Sequence, residues 1–139
     1  MSKLIPDHKK EWIEFDDANE RLLLTGCESR GKLQKNLREI IKDLERVFLN
    51  STVSLHMYST YGTDRAVIHQ DDVDVVYLQS VGEVDWSIHE SDEPDAELTE
   101  LWRLQPGDLF YTPKMTAHCV TPLGHTRLGL SYGINGYYI

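Results

Sequence analysis

The residue texture changes at Asn50, and this change constrains the fold more than any other feature of the sequence. Before it, apolar residues recur at helical spacing from Lys32 to Leu49, which predicts an amphipathic helix. After it, β-branched and aromatic residues form short runs, separated by turn signals that contain Gly, Pro or Asp. The predicted strands are Thr52–Tyr58, Ala66–Asp71, Val73–Gln79, Val84–Glu90, Leu98–Leu104, Asp108–Thr112, Ala117–Thr121 and Arg127–Gly133. Short strands with a turn about every 8–12 residues predict an all-β sandwich or barrel preceded by a helix.

The chain has 139 residues, which predicts one domain, because domains contain roughly 100–200 residues. Within it we expect residues 1–50 to be a helical N-terminal part that packs on a β core formed by residues 51–139. Residues 1–30 are mixed, and their apolar runs indicate one or two short strands or a helix. The apolar stripe from Leu33 to Phe48 is typical of a core contact. A homodimer through this helix is also plausible, because one small barrel need not cover the whole stripe.

The formal net charge of −9 is carried entirely by the β region. Residues 1–50 contain ten basic and ten acidic residues, whereas residues 51–139 contain four basic and thirteen acidic residues. An acidic surface repels nucleic-acid phosphate and anionic lipid, so we expect neither partner. It suits a metal cation or a basic macromolecule, although solubility alone would also explain it.

Three further features predict a cytoplasmic location. The sequence has no run of about 18 apolar residues, so we expect no membrane span. Its first residues, from Met1 to His8, lack the apolar core of a secretory signal. Cys27 and Cys119 have no close spacing, which is typical of reduced thiols.

The segment His69-Gln70-Asp71 carries the clearest chemical signal in the sequence. In a strand, residues i and i+2 point to the same face, so an imidazole and a carboxylate would lie on one side of the barrel wall. His118 follows on a later predicted strand. Two histidines and one carboxylate can occupy three adjacent corners of an octahedron and leave three corners open, as expected for a non-haem Fe(II) oxygenase.

A bare His-x-Asp is common and usually forms a surface or core pair. Here the run from Gly107 to Pro113 precedes His118 at a distance that fits closure of a barrel, which favours a metal site. The remaining histidines lack a carboxylate on the same strand face, and we interpret them as structural or surface groups: His8, His56, His89 and His125.

Two segments resemble a known family. The run Gly107-Asp108-Leu109-Phe110-Tyr111-Thr112-Pro113, followed by His118, resembles the second cupin motif, with Met115 in place of its usual glycine. Residues 69–86 resemble the metal-binding segment of Jumonji C (JmjC) type cupin-like oxygenases, most closely the ribosomal-protein hydroxylase branch. The resemblance spans about residues 52–134.

The resemblance implies a double-stranded β-helix, Fe(II), 2-oxoglutarate as cosubstrate and hydroxylation of a protein side chain. By the same match, His69, Asp71 and His118 become the iron ligands and the catalytic centre.

The sequence departs from this family at one position. Members usually carry Lys or Arg fifteen residues after the first metal histidine, to pair with the far carboxylate of 2-oxoglutarate, but Val84 stands there. A buried carboxylate needs a cation or several donors. Arg127, nine residues after His118, is our candidate for the anchor, because its planar fork suits a carboxylate. The other interpretation of Arg127 is a surface ion pair with an acid such as Asp108.

Three further residues are candidates for binding the cosubstrate. Tyr58 and Tyr111 could reach a bound acid with a phenol hydroxyl, and Ser131 lies just beyond Arg127 on the last predicted strand. The other strand aromatics are more typical of core residues, because aromatic bulk fills small barrels.

We therefore predict an Fe(II)- and 2-oxoglutarate-dependent dioxygenase that hydroxylates a protein side chain or a small substrate. The acidic β region suggests a basic protein segment as substrate. Two alternatives stay open at this stage. One is a metal-binding cupin that does not use 2-oxoglutarate, which Val84 favours, and the other is a non-catalytic binding module.

Overall fold

The computed structural model describes residues 13–16, 21–24, 35–60, 67–124 and 126–136. In this part of the chain the elements, in order, are β1 (Ile13–Asp16), β2 (Arg21–Leu24), α1 (Lys35–Val47), β3 (Thr52–Thr60), β4 (Asp74–Val81), β5 (Val84–His89), β6 (Leu98–Leu104), β7 (Leu109–Thr112), β8 (His118–Pro122) and β9 (Arg127–Asn135).

The strands form two antiparallel sheets. The large sheet has the order β1-β2-β3-β9-β4-β7, and the small sheet has the order β6-β5-β8. Their inner faces meet in one apolar cluster, which includes Val75 and Tyr77 of the large sheet and Trp86 and Val120 of the small sheet. This arrangement confirms the predicted all-β fold, a double-stranded β-helix with a helix before its core.

Helix α1 covers the outer face of the large sheet. Ile41 packs in a second apolar cluster with residues such as Leu55 and Tyr132. The described part of the apolar stripe therefore packs against the large sheet. The helix ends at Val47, close to the predicted boundary, and Asn50 follows it in the left-handed conformation with φ of 63°. Asparagine tolerates this conformation better than most residues, which suits a helix end. Within the described residues, no helix is long and apolar enough to cross a membrane.

Strand β4 is apolar on both faces because it lies between the two clusters. Val75 and Tyr77 face the small sheet, whereas Val76 and Leu78 face the helix. This explains why its apolar residues form a nearly continuous run and do not alternate with polar residues.

The described residues of the N-terminal region form strands and not a helix. Strand β1 pairs with β2, and β2 pairs with β3.

The predicted strand Ala66–Asp71 is wrong as a strand. Ala66 lies outside the described residues, and the rest of the segment makes a single β-bridge, from His69 to His118. The chain leaves the ladder after that bridge. The Asp71 carbonyl accepts a hydrogen bond of 2.7 Å from the Met115 N–H, a residue of the turn before β8 and not of a strand.

Candidate metal centre

His69 and His118 lie directly opposite each other on neighbouring backbone segments. The His69 N–H donates to the His118 carbonyl at 3.0 Å, and the His118 N–H donates to the His69 carbonyl at 2.9 Å. Directly paired residues place their side chains on the same face. The two imidazole rings therefore meet, with centroids 4.4 Å apart.

Asp71 completes the group. Its Oδ2 lies 3.5 Å from Nε2 of His118, and its Oδ1 lies 3.9 Å from Nε2 of His69. One ligand atom from each of the three residues lies within 4.8 Å of the others. The structure thus brings together the three residues that the sequence selects as metal ligands, even though only one bridge holds the first two in register.

The orientation of each ring is fixed by a hydrogen bond at the far nitrogen. Nδ1 of His69 lies 2.9 Å from the Val67 carbonyl, and Nδ1 of His118 lies 2.9 Å from the Thr116 carbonyl. A carbonyl oxygen can only accept, so each Nδ1 carries the hydrogen in the neutral ring. The lone pair of each Nε2 is then free to point toward Asp71. This tautomer of the imidazole is the one that binds a metal through Nε2.

His118 is the buried member of the group. Its side chain is 3% exposed and stacks on the indole of Trp86, with centroids 5.1 Å apart and an interplanar angle of 10°. Burial lowers the pKa of His118 below its usual value, which favours the neutral imidazole. The side chains of His69 and Asp71 are 41% and 36% exposed. The candidate centre is therefore closed on the His118 side and open on the other.

The cavity beside these ligands contains three of the four predicted cosubstrate residues. Tyr58, Arg127 and Ser131 all line it, together with His69 and Asp71. They come from β3 and β9, the central strands of the large sheet.

Arg127 is an interior residue. The residue is only 4% exposed. Its Nη1 lies 3.5 Å from the Tyr77 hydroxyl, and its guanidinium carbon lies 6.0 Å from the ring centroid of Tyr58. The surface alternative does not fit this position. The Asp108 carboxylate instead accepts a hydrogen bond of 2.7 Å from the Gln105 N–H in the turn before β7.

Tyr111 is on the opposite face of the large sheet. It pairs with Val76, whose side chain faces the helix, and its ring stacks on Phe48 at 6.3 Å. Its hydroxyl donates to Oδ2 of Asp74 at 2.6 Å. The proposed role of Tyr111 in binding an acid is therefore not supported, because the strand register turns it away from the cavity.

The polar pair Tyr77 and Gln79 was missed by the sequence analysis, which interpreted strand aromatics as core. The Tyr77 hydroxyl donates to Oε1 of Gln79 at 2.8 Å, and both residues are almost fully buried. Burial raises the pKa of Tyr77, so the phenol stays neutral. The available signal was spacing, because both residues share the inward face of β4 with Val75.

Val84 occupies the position at which the resembled family usually carries a basic anchor. It is 0% exposed and packs in the apolar cluster between the sheets, beside Trp86 and Leu104. An apolar residue there leaves Arg127 as the cation on the cavity wall within the part of the chain that the structure describes.

The other histidines are placed apart from this centre or outside the described residues. His56 pairs with Ser131 on the inner side of the large sheet. His89 lies on the other face of the small sheet from Trp86 and contacts Ser87 and the Ala96 carbonyl. His8 and His125 lie outside the described residues.

Comparison with known families decides the family of the chain. The model of the JmjC domain family matches residues 32–138, which include helix α1, strands β3 to β9 and all three candidate ligands. The chain belongs to the JmjC domain family. No match was found among curated proteins.

Solved structures show the same fold as this JmjC domain. YcfD, a ribosomal oxygenase from Escherichia coli in complex with cobalt and 2-oxoglutarate, aligns with a TM-score of 0.68 and 20% identity over 85% of this chain. Another structure of that oxygenase aligns with a TM-score of 0.70 and 19% identity over 90% of this chain. The SPY1581 protein of unknown function from Streptococcus pyogenes aligns with a TM-score of 0.51 and 13% identity, over 62% of this chain and 67% of that chain.

The chain is shorter than the oxygenase that it resembles. It spans 32% of the YcfD chain in the first of these alignments and 35% in the second. The shared part is the JmjC fold.

Proposed function

We propose that this JmjC domain is an Fe(II)- and 2-oxoglutarate-dependent oxygenase that hydroxylates a protein side chain or a small substrate. The observation that carries the proposal is the convergence of His69, Asp71 and His118 at one cavity that also contains the buried guanidinium of Arg127. The JmjC family match and the likeness in fold to a ribosomal oxygenase support it.

The donor set fits a divalent first-row metal. Two neutral imidazoles and one carboxylate are the ligands that non-haem iron oxygenases use, and such a set leaves coordination positions open. His69 and His118 would hold the ion through Nε2, and Asp71 would hold it through a carboxylate oxygen. When bound, Fe(II) supplies the activation of O2 that hydroxylation requires.

The residues of the chain would bind and orient the cosubstrate. The guanidinium of Arg127 would pair with the far carboxylate of 2-oxoglutarate, and Tyr58 and Ser131 would donate hydroxyl hydrogen bonds in the same cavity. Tyr77 would accept from Arg127 and fix its direction, since the Tyr77 hydroxyl hydrogen is already directed to Gln79. Trp86 would keep His118 in place and exclude water from that side.

The relative with a bound acid supports this assignment. The YcfD structures contain cobalt together with 2-oxoglutarate or with succinic acid. We extend that ligand pair to this chain, with the difference that Val84 supplies no charge and Arg127 takes the anchoring role.

A second candidate is a metal-binding cupin that does not use 2-oxoglutarate. Val84 favours it, because the usual anchor position is apolar and buried. Under either candidate we propose a cytoplasmic protein. Under the first, the acidic β region supports a basic protein segment as substrate.

Anaerobic titration separates the two candidates. Fe(II) is added to the protein without oxygen, 2-oxoglutarate is then added, and the weak visible charge-transfer band of the chelate is recorded. We expect this band for the wild type, and O2-dependent succinate formation after air is admitted.

Matched variants assign the roles. His118→Ala should abolish metal uptake by elemental analysis, whereas His89→Ala, which removes a histidine outside the centre, should not. Arg127→Met and Arg127→Ala should abolish the band while metal uptake stays near one equivalent. Metal uptake without any band in the wild type would support the second candidate, and no metal uptake would contradict both.

A further inference from the structure

Strand β6 forms an exposed edge of the small sheet. Among the described strands only β5 pairs with it, so its outer backbone edge has no strand partner in that part of the chain. Six of its seven residues are exposed, including Leu98 at 49%, Leu101 at 55% and Trp102 at 51%. Exposed apolar side chains on an unpaired edge are a feature that proteins normally avoid, because such an edge pairs readily with another chain.

The apolar side chains of β6 occupy both of its faces. Trp102 pairs with Trp86 and lies on the side of the inner cluster, whereas Leu101 pairs with Ser87 and lies on the outer side. Strand β6 has few of the features that usually keep an edge strand from pairing with another chain. It has no proline or lysine, and its Arg103 is held by two hydrogen bonds to the Asp85 carboxylate, at 2.9 and 3.1 Å.

A groove of about 740 Å³ runs along the outer face of the same sheet. Leu98 and Leu101 form part of its wall, and the β5–β6 loop contributes Asp92 and Asp95. The described residues that line it include no lysine or arginine. The groove is therefore acidic and partly apolar, on a chain whose net charge is already −9.

We propose that β6 and this groove bind an extended basic segment of a partner protein, which adds to the small sheet as a further strand. The backbone of the segment pairs with the free edge of β6, as in other complexes formed by strand addition. Alternate side chains of the segment then face opposite ways. Lysine or arginine on the outer side reaches Asp92 and Asp95 while its aliphatic stem covers Leu101, and apolar residues on the inner side contact Trp102.

A basic segment fits this surface better than a second copy of the chain. Two copies would bring together two molecules of net charge −9, and the β5–β6 loop of each contributes acidic side chains near the edge. The same acidic side chains attract a basic segment and so favour its binding.

The surface contains none of the three candidate metal ligands, although Val67, whose carbonyl lies 2.9 Å from Nδ1 of His69, is part of the groove wall. On β8 the side chain of His118 faces the inner cavity, whereas Cys119 lines the outer groove. Binding at β6 therefore requires neither the metal nor the cosubstrate.

A labelled heptapeptide of alternating arginine and valine tests the proposal. Its binding is followed by fluorescence anisotropy, and hydrogen exchange of the β6 amides is measured with and without it. We expect saturable binding and slower exchange over Leu98–Leu104. An otherwise identical peptide that is N-methylated at every residue cannot donate to the edge in either direction and should bind at least about tenfold more weakly.

Charge variants test whether the peptide is attracted by the carboxylates of the groove or by the net negative charge of the whole chain. Asp92→Asn/Asp95→Asn should weaken binding about fivefold or more. The matched control Glu39→Gln/Asp43→Asn removes the same charge from helix α1 and should leave the affinity within about twofold. Leu101→Lys at an exposed position should also weaken binding without changing the thermal midpoint.

Three results would overturn the proposal. Equal losses in the two charge variants would show that the attraction is not local to the groove. Unchanged binding of the N-methylated peptide would exclude strand addition. A dimer in sedimentation equilibrium that Leu101→Lys dissociates would identify a second copy as the occupant of β6.

Discussion

Gly129 lies where the large sheet must leave room for the ring of Tyr77. A methyl group at Gly129 would overlap the Tyr77 hydroxyl and the adjacent ring carbons. The ring cannot easily retreat, because it packs against Trp86 at a centroid distance of 4.7 Å and its hydroxyl is bound to Gln79. We therefore predict that Gly129→Ala is strongly destabilising, although alanine is favoured over glycine in most strands.

The expected loss has two parts. Forcing an extra methyl into a packed interior costs about 1–3 kcal/mol. If Tyr77 moves, Oε1 of the fully buried Gln79 loses its donor, which costs about 1–3 kcal/mol more. The free energy of unfolding should thus fall by about 2–6 kcal/mol. With a urea m-value of about 2 kcal/mol/M, the midpoint should fall by roughly 1–3 M.

Urea unfolding followed by circular dichroism measures this loss. Gly124→Ala is the matched control, because nothing lies within 4 Å of a methyl group there, and its stability should stay within about 0.5 kcal/mol of the wild type. In a Tyr77→Leu background, which lacks the end of the ring, Gly129→Ala should cost much less. A Gly129→Ala protein as stable as the Gly124→Ala control would refute the reasoning.

Three further substitutions test separate parts of the structure by the same assay. Met115→Gly should raise the free energy of unfolding by about 0.5–1 kcal/mol, because Met115 has a φ of 62° that suits glycine. Thr112→Val should raise it by about 1 kcal/mol, because the buried Thr112 hydroxyl has no hydrogen-bond partner in the described part of the chain. Ile41→Ala should lower it by about 2–4 kcal/mol, since Ile41 joins the helix to the large sheet. The control for Ile41→Ala is Val47→Ala, at a helix residue that is 73% exposed, which should change the free energy of unfolding by less than about 0.5 kcal/mol.

Local sequence pattern predicts most of the strands and the helix. The strand Leu98–Leu104 has its predicted bounds, and the predicted Val84–Glu90 differs from β5 by one residue. The failure at Ala66–Asp71 has a physical cause. A strand is defined by its partners, and after the His69 bridge the next backbone partner is the turn residue Met115, which no local pattern reveals.

The candidate ligands could be predicted from the sequence because their geometry is local or depends on closure of the barrel. The residues of the cavity wall could be predicted only in part. Spacing and residue chemistry predicted that Arg127 and Tyr58 lie at the cavity. The same prediction for Tyr111 was wrong, because pairing with Val76 decides which face of the sheet Tyr111 occupies. A shift of one residue in that register would have turned Tyr111 inward, and register is decided by the whole sheet.

The reciprocal backbone bonds between His69 and His118 have a consequence for the thermodynamics of the proposed metal binding. The two imidazoles are held side by side by the chain itself, so an arriving ion does not have to order the segments that carry them. Under the proposed function, little conformational entropy would then be lost when the metal binds, and the affinity would reflect mainly the coordination bonds. The barrel packs around two apolar clusters that contain none of the three candidate ligands, so we expect it to stay folded in the presence of a chelator, in contrast to small zinc modules that unfold when their metal is removed.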